Sequence, residues 1–531
     1  MQVLRDPAEA AAWLARCCRG RLRADSRKVE PGDAFLAWPG RTHDARAQVP
    51  QALAAGASAC LVEANGMQAF GFDDPRLAAL AGLRAQAGLV ASGALGHPSR
   101  RLQVLAVTGT NGKTSTAWWC AQALRGAGRR CAVVGTLGLG EPPAPGASGE
   151  PGAPDASAPG LTGTGLTGTG LTTPDPVTLQ QALADFADQG LSACALEASS
   201  IGLEEARLRG THIDVALFTN FTRDHLDYHG TMDAYWASKR RLFDWPGLRA
   251  AVVNIDDPMG ARLAAELDLT AVSCWSVSAR GPARLAARQA RMVDGALAFE
   301  LHEAGEQASV RTALIGDFNV HNLLGVAAAL RASGLTLAQA AAALGPLGPV
   351  PGRLQRVAPA ACGPGSGPEV IVDYAHTPDA LEKVLQTLRP LAAARGGELW
   401  CVFGCGGSRD ATKRAPMGAI AARLARHVVV TSDNPRTEDP AAIAAQVLAG
   451  MPAEPLRGRV REVVLERGEA IAQTVAQAAD ADIVLVAGKG HEAWQEANGR
   501  RLPFSDVEQA RRALAQRRAG AAAAAPQGVA A

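Results

Sequence analysis

Lysine is scarce in this chain. Of 53 basic residues only six are lysine: Lys28, Lys113, Lys239, Lys383, Lys413 and Lys489. Arginine thus serves for generic surface charge, and a surviving lysine can mark a place that needs a compact ammonium or a titratable amine. Codon bias with chance survivors is the plain alternative. Tyrosine is as sparse, occurring only at Tyr228, Tyr235 and Tyr374. A net charge of +2 excludes the broad basic field on which nucleic-acid binding leans. No apolar run is long enough to span a bilayer, which excludes stable membrane insertion. The ten cysteines include no CxxC and no paired metal-ligand spacing, which argues against a zinc module. The opening MQVLRDPAEA is too short and charged for a signal peptide, so reduced thiols and a cytoplasmic location are expected.

What is present is an ordinary globular composition, 47% apolar and 20% charged, over 531 residues. That length exceeds what one core supports, so two to four domains are expected. Short apolar runs bounded by turn residues recur at Leu102 to Val107, Ala132 to Thr136, Ala193 to Glu197, Val215 to Thr219 and Ala251 to Asn254. Helical patterns separate them, which predicts an α/β sheet of parallel strands covered on both faces. A second such series runs through Val370 to Asp373, Leu399 to Phe403, His427 to Thr431 and Asp482 to Ala487. Boundaries fall near 101 and in the helix-breaking Gly345-Pro346-Leu347-Gly348-Pro349. The expected division is therefore 1–101, 102–348 and 349–519, with a disordered tail over 520–531. A Pro/Gly/Ala/Ser-rich insertion with a tandem Leu-Thr-Gly-Thr-Gly repeat occupies 141–170 and reads as a mobile surface loop.

The run Thr108-Gly109-Thr110-Asn111-Gly112-Lys113-Thr114-Ser115 sits between a predicted strand and a helix predicted from Thr114. Backbone N–H groups and the helix N-terminus then face an anion, Lys113 adds charge, and the Thr114 hydroxyl is placed to ligate Mg²⁺. The loop is a shorter variant of the usual phosphate loop, because Val107 stands where the first glycine would be. Glu197 closes a predicted strand, where its carboxylate could reach the same metal. A dense polar segment, Asn220 to Gly230 with His225, follows another strand, at the end of an open α/β sheet where sites are built. Lys239 lies ten residues further on, beside Arg240 and Arg241, which show that arginine is acceptable there for charge alone. A solvated helix lysine is the plain reading of Lys239; a functional amine is the sharper one.

Taken together, TGTNGKTS, EASSIGL (197–203), FTNFTRDHLDYHG (218–230), GDFNVHNLL (316–324), DYAHTPDAL (373–381) and GKGHE (488–492) resemble the Mur ligase superfamily. These are ATP-dependent amino-acid ligases of peptidoglycan synthesis, and the likeness runs from about residue 25 to 506. It implies a three-domain architecture: a UDP-sugar domain, a central ATPase domain and a C-terminal Rossmann-like domain receiving the amino acid. ATP and Mg²⁺ are the implied cofactors. Gly109, Thr110, Asn111, Gly112, Lys113, Thr114 and Ser115 would hold the phosphates. Asn319 and Asn322 would lie near the adenine, with Arg353, Asp373 and His376 toward the nucleotide from the C-terminal side. Thr114 and Glu197 would serve one Mg²⁺, and His225 a second. Lys239 matches the lysine that this family carries as a carbamate, which turns a cation into a metal-binding anion.

For the substrates, the resemblance is closest to members that add meso-2,6-diaminopimelate to UDP-MurNAc-L-Ala-D-Glu. Ser26 would contact the uridine end, and Thr172, Thr173, Ser199 and Arg207 the muramoyl dipeptide. Glu205 departs from the glutamine common at its position. Asp433-Asn434-Pro435-Arg436 looks like the diaminopimelate-selecting motif, its arginine forking onto the distal carboxylate that lysine lacks. Arg409, Gly488 and Glu492 match the other contacts, Glu492 being available to the distal ammonium. The implied chemistry passes the ATP γ-phosphoryl group to a carboxylate, and the resulting acyl phosphate is attacked by an uncharged amine. Alternatives at this point are the same ligase using L-lysine, a folylpolyglutamate synthetase, and a nucleotide-binding protein without turnover.

Overall fold

The computed structural model describes all residues except 1, 41–42, 147–165, 294, 358–366, 453–460 and 525–531, and no side chains over 520–524. Most of the expected 141–170 insertion therefore lies outside the described residues. By internal contacts the chain forms two units. The first comprises everything to Arg288 with Glu300–Val310 and His321–Leu347; the second takes Gln289–Phe299, Arg311–Val320 and the chain from Gly348 on.

Two sheets share the first unit. The smaller orders its strands Gln2–Leu4, Leu77–Leu80, Ala59–Glu63, Ala34–Ala37 and Leu22–Arg23, with every neighbouring pair parallel. The expected boundary near 101 does not separate this sheet by contacts, for a packing reason. Helix Leu83–Ala94 lies so close to the following segment that a Cβ on Gly88 would meet the Arg209 carbonyl oxygen at 1.9 Å. Val177, from helix Pro176–Asp188, completes the small sheet's own apolar core.

The larger sheet runs Ser273–Ser278, Ala250–Asn254, Val215–Phe218, Gln103–Thr108, Ala193–Glu197 and Cys131–Gly135, all parallel, then the antiparallel Gly138–Gly140. Its central strands are buried along their whole length, which is why they read as unbroken apolar runs. Register decides where the site falls. Val107 pairs with Glu197 and Thr108 with Phe218, so three strands end level and their following loops rise together. Beyond Ser273–Ser278 the sheet continues into a ladder that was not anticipated, Leu285–Val293, Ala296–Glu303 and Glu306–Thr312, whose first and last strands are interrupted by exposed polar residues.

The second unit repeats the plan. Its sheet runs Gln355–Val357 (antiparallel), Glu369–Asp373, Ile483–Ala487, Leu399–Phe403, His427–Val430 and Arg461–Val463. Alternate residues face two cores: Ile371 packs under helices Pro378–Ala394 and Arg414–Leu424, whereas Val370 and Val372 face Arg467–Gln477. Thr377 caps the first of these helices by accepting from the Ala380 N–H, with Pro378 at its first position. The final helix, Asp506–Ala524, continues past Gly520, where a disordered tail was expected. Alanine is the strongest helix former, and the alanine run prolongs the helix despite the glycine.

Candidate functional site

The phosphate loop follows strand Gln103–Thr108 and opens helix Lys113–Gly126 one residue before the expected start. Gly109 has φ +144, and a Cβ there would lie 1.9 Å from Thr219 Oγ1, so only glycine allows this turn. Gly112 has φ +85 and faces Asn322, whose Oδ1 would be 2.4 Å from an added Cβ. Two residues at the end of the neighbouring strand hold the loop open. The Asn111 N–H donates to Asn220 Oδ1 at 2.9 Å, and Thr219 Oγ1 donates to the Asn111 carbonyl at 2.6 Å. Neither Thr219 nor Asn220 stood out in the sequence as a loop support.

Three of the expected catalytic groups meet on this loop. Lys113 Nζ donates to the carbonyls of Gly109 and Thr110, each at 2.9 Å. Lys239 Nζ donates to the same Gly109 carbonyl at 2.7 Å, from a position only 1% exposed. Glu197, 2% exposed, accepts from Thr114 Oγ1 at 2.9 Å and from the Thr136 N–H at 2.7 Å. Burial pushes the Lys239 amine well below its ordinary range, and the Lys113 ammonium adds to that; Asp224 pulls the other way. His225 is half-buried in left-handed backbone with φ +52. Desolvation lowers its pKa, with the Lys113 and Lys239 charges adding to that and Asp224 opposing, and its ring lies 6.1 Å from that of Tyr235. Tyr235, one turn before Lys239, puts its ring 4.4 Å below the amine and its hydroxyl 3.3 Å from Thr110 Oγ1.

A hydroxyl belt leads away from Glu197. Thr136 and Thr172 hydroxyls are 3.0 Å apart, and those of Thr173 and Ser199 are 2.9 Å apart. Thr173 Oγ1 also donates to the Glu197 carbonyl at 2.7 Å. Arg207 donates to the Thr173 carbonyl at 2.8 Å and forks onto Glu205 at 2.6 and 3.0 Å. The unexpected glutamate is thus answered by a charge pair that holds Arg207. Ser26 lies elsewhere, on a short 3-10 turn beside the small sheet, with its hydroxyl 3.5 Å from Gln51 Oε1.

In the second unit, Asp373, Phe403 and Ala487 stand level in the sheet, and their loops carry the remaining candidates. Asp373 accepts from the Leu354 and Ala375 N–H groups, each at 2.7 Å. Burial raises its pKa, partly offset by Arg353. Arg353 itself lies 4.3 Å over the Tyr374 ring, and His376 Nδ1 is 2.8 Å from the Tyr374 carbonyl. His491, also against Tyr374, is pushed down to about 3 by burial and by Arg353 and Lys489. Asn319 donates to the Ile315 carbonyl at 2.7 Å. By contacts it belongs with the second unit and Asn322 with the first.

Around the 433–436 motif the polar groups are tightly interlocked. Arg436 adopts φ +53, and its guanidinium donates to the Gly407 carbonyl at 2.7 Å and stands 3.9 Å from Glu496. Asn434 donates to Glu492 at 2.9 Å. A Cβ on Gly488 would be 2.5 Å from Asp433 Oδ2, and one on Gly407 would be 2.0 Å from the Pro435 carbonyl oxygen. Arg409 is exposed beside this cluster. Beneath it Arg467 and Asp506, both wholly buried, pair at 2.7 and 2.8 Å, with Arg467 also donating to the carbonyls of Ser432 and Ala487. Residues 467 and 506 lie too far apart in sequence for that pairing to have been read.

A strand–loop–helix anion site carrying lysine, threonine and a buried glutamate defines an α/β protein that handles nucleotide phosphates. Comparison with known proteins narrows this. Residues 107–330 match the Mur ligase middle domain and residues 352–490 the Mur ligase glutamate ligase domain. The chain belongs to the Mur ligase family, whose members are ATP-dependent ligases. It is 54% identical to a UDP-N-acetylmuramoyl-L-alanyl-D-glutamate--2,6-diaminopimelate ligase of Acidovorax sp., over 96% of this chain and 97% of that one. A protein of the same name from Pseudomonas aeruginosa is 48% identical, over 93% and 94% of the two chains. A solved structure of such a ligase superposes with a TM-score of 0.60 at 34% identity, covering 94% of this chain and 95% of that one. A folylpolyglutamate synthase of Mycobacterium tuberculosis, at 20% identity and TM-score 0.57 over 77% and 93%, shares the fold alone.

Proposed function

We propose that this chain joins meso-2,6-diaminopimelate to the D-glutamyl γ-carboxylate of UDP-MurNAc-L-Ala-D-Glu, consuming ATP through an acyl phosphate. The observation that carries the reading is the meeting of Lys113, Lys239 and the Thr114–Glu197 pair on one phosphate loop. In this reading residues 1–101 receive the UDP-sugar, 102–348 the ATP and 349–519 the amino acid. The N–H groups of 109–115 and Lys113 hold the β- and γ-phosphates, with Asn322, which faces Gly112, toward the rest of the nucleotide. Ser26 meets the uridine end, and Thr172, Thr173, Ser199 and Arg207 orient the dipeptide so that its carboxylate meets the γ-phosphorus.

The oxygen donors suit Mg²⁺: the Thr114 hydroxyl and the buried Glu197 carboxylate meet at a site built for phosphate oxygens. Thr114 and Glu197 would hold one Mg²⁺ and His225 would assist a second, with Lys239 as a carbamate adding an anionic ligand; the ions would screen the charge gathered by a carboxylate and a triphosphate. Lys239 fits a carbamate for a reason visible in its surroundings. Its amine is enclosed beside a second ammonium and is driven toward the neutral form, the form that attacks CO₂ and loses a proton. A guanidinium could not do this. Arg436, with Asp433, Asn434, Pro435, Arg409, Gly488 and Glu492, would select the amino acid. A half-buried arginine left without its carboxylate disfavours lysine.

The reaction belongs to the cytoplasm, where ATP and nucleotide sugars are found; no helix among the described residues is long and apolar enough to cross a membrane. The test is phosphate release from ATP with UDP-MurNAc-L-Ala-D-Glu and either amino acid. Release that depends on diaminopimelate is expected. No amino-acid-dependent release would overturn the reading, and a preference for L-lysine would overturn the role given to Arg436.

A further inference from the structure

Lys489 is fully enclosed, at 0% exposure, yet no step above uses it. Its Nζ donates to Glu492 Oε2 at 2.8 Å and to Asn434 Oδ1 at 3.0 Å, and lies 5.4 Å from the Trp494 ring centroid. Asn434 closes the triangle by donating from Nδ2 to the same Glu492 Oε2 at 2.9 Å. Asn434 Oδ1 also accepts the Glu496 N–H at 2.9 Å, so the amide has one possible orientation. Glu492 therefore has one oxygen carrying two donors and the other, Oε1, with no donor among the described residues.

Enclosing an ammonium costs free energy unless it is paired and hydrogen-bonded, so a sequence that uses arginine almost everywhere keeps lysine here for a reason. A planar guanidinium with five donors would ask for more acceptors than Glu492 Oε2 and Asn434 Oδ1 offer. The hairpin Trp494–Ala497 and Arg500–Pro503 walls the other side and ties its Glu496 N–H to Asn434. Each of the three polar side chains is thus held by the other two.

We propose that Lys489 is a positioning residue for the incoming amino acid: it locks Asn434 and Glu492 into one rigid unit that presents Glu492 Oε1 to the substrate's distal ammonium. This rests on the assignment of Glu492 to that ammonium under the proposed function.

The experiment uses the full chain and Lys489→Met, which keeps the apolar stem and removes the charge. Each substrate is varied in turn, and meso-diaminopimelate is compared with 2-aminopimelate, which lacks the distal amino group. The KM for diaminopimelate should rise tenfold or more, while those for ATP and the UDP-dipeptide stay within twofold. Discrimination between the two amino acids should shrink by a similar factor. In a Glu492→Gln background the same substitution should add less than twofold. Were Lys489→Met insoluble, Lys489→Gln, which retains a donor, is measured the same way. Unchanged discrimination, or a parallel rise in all three KM values, overturns the proposal. Wild-type protein without diaminopimelate-dependent phosphate release would instead fail the parent reading.

Discussion

Lys239 and Lys489 are equally hidden, at 1% and 0% exposure, and have opposite surroundings. Lys489 faces a carboxylate and an amide oxygen. Lys239 shares one backbone carbonyl with Lys113, a like charge. Burial by itself therefore says little about a lysine; the nearest charge decides. Paired with a carboxylate, an enclosed ammonium becomes a rigid strut. Crowded by another cation, it is pushed toward a neutral and reactive amine. The two units of one chain use the same scarce residue for these two ends.

The largest effect expected from this contrast is at Lys239. Lys239→Ala should lower the rate of amino-acid-dependent phosphate release by a factor of ~10²–10³, the scale of losing a preorganised electrostatic contact. Added short carboxylic acids should restore part of it, read in the same assay; Lys239→Arg should not be restored. If arginine serves as well as lysine at 239, a titratable amine is not what the site requires.

A stability effect comes next, beneath Lys489. Arg467→Met leaves Asp506 enclosed without its partner, which should cost about 3–5 kcal/mol in denaturant unfolding. Arg436→Lys should then lower kcat/KM for diaminopimelate about 10–100-fold with little change for ATP, because an ammonium cannot fork onto a carboxylate.

The smallest effect is a pH slope. Because folding lowers the Lys239 pKa, the unfolded chain binds that proton more tightly. The stability linked to Lys239 is full above the ordinary lysine value and is lost as pH falls toward its folded value. In that window the ligand-free protein should gain up to about 1.4 kcal/mol per pH unit relative to Lys239→Met. Melting temperatures of both proteins between pH 7.5 and 9.5 check the sign. An equal slope in both would mean that Lys239 is not held neutral. His491, already neutral at about 3, should add no slope there.

Much of the fold was legible because parallel strands buried on both faces leave continuous apolar runs. Ala193–Glu197 and Leu399–Phe403 were bounded to the residue, and most others to within one. The ladder over Leu285–Thr312 was missed although Ala296–Glu303 alternates regularly, since the strands on either side of it alternate irregularly and expose polar residues. The small sheet's attachment was missed too, as it depends on Gly88 and Val177, neither of which signals a contact in sequence.

By itself the sequence determined which chemical groups are available and in what order: a glycine turn before Lys113 and Thr114, a glutamate ending a strand, and a lone lysine among arginines. These are local facts, written in residue type and spacing, and local propensity reads them. Only the tertiary structure decided which groups share a charge environment. The level ends of the strands through Thr108, Glu197 and Phe218 bring Lys239 to the carbonyl that Lys113 also holds, 130 residues from its partner Gly109. Coulomb interaction and desolvation depend on distance in space, so the identical side chain meets a carboxylate at 489 and, at 239, a like charge that helps burial drive its pKa down.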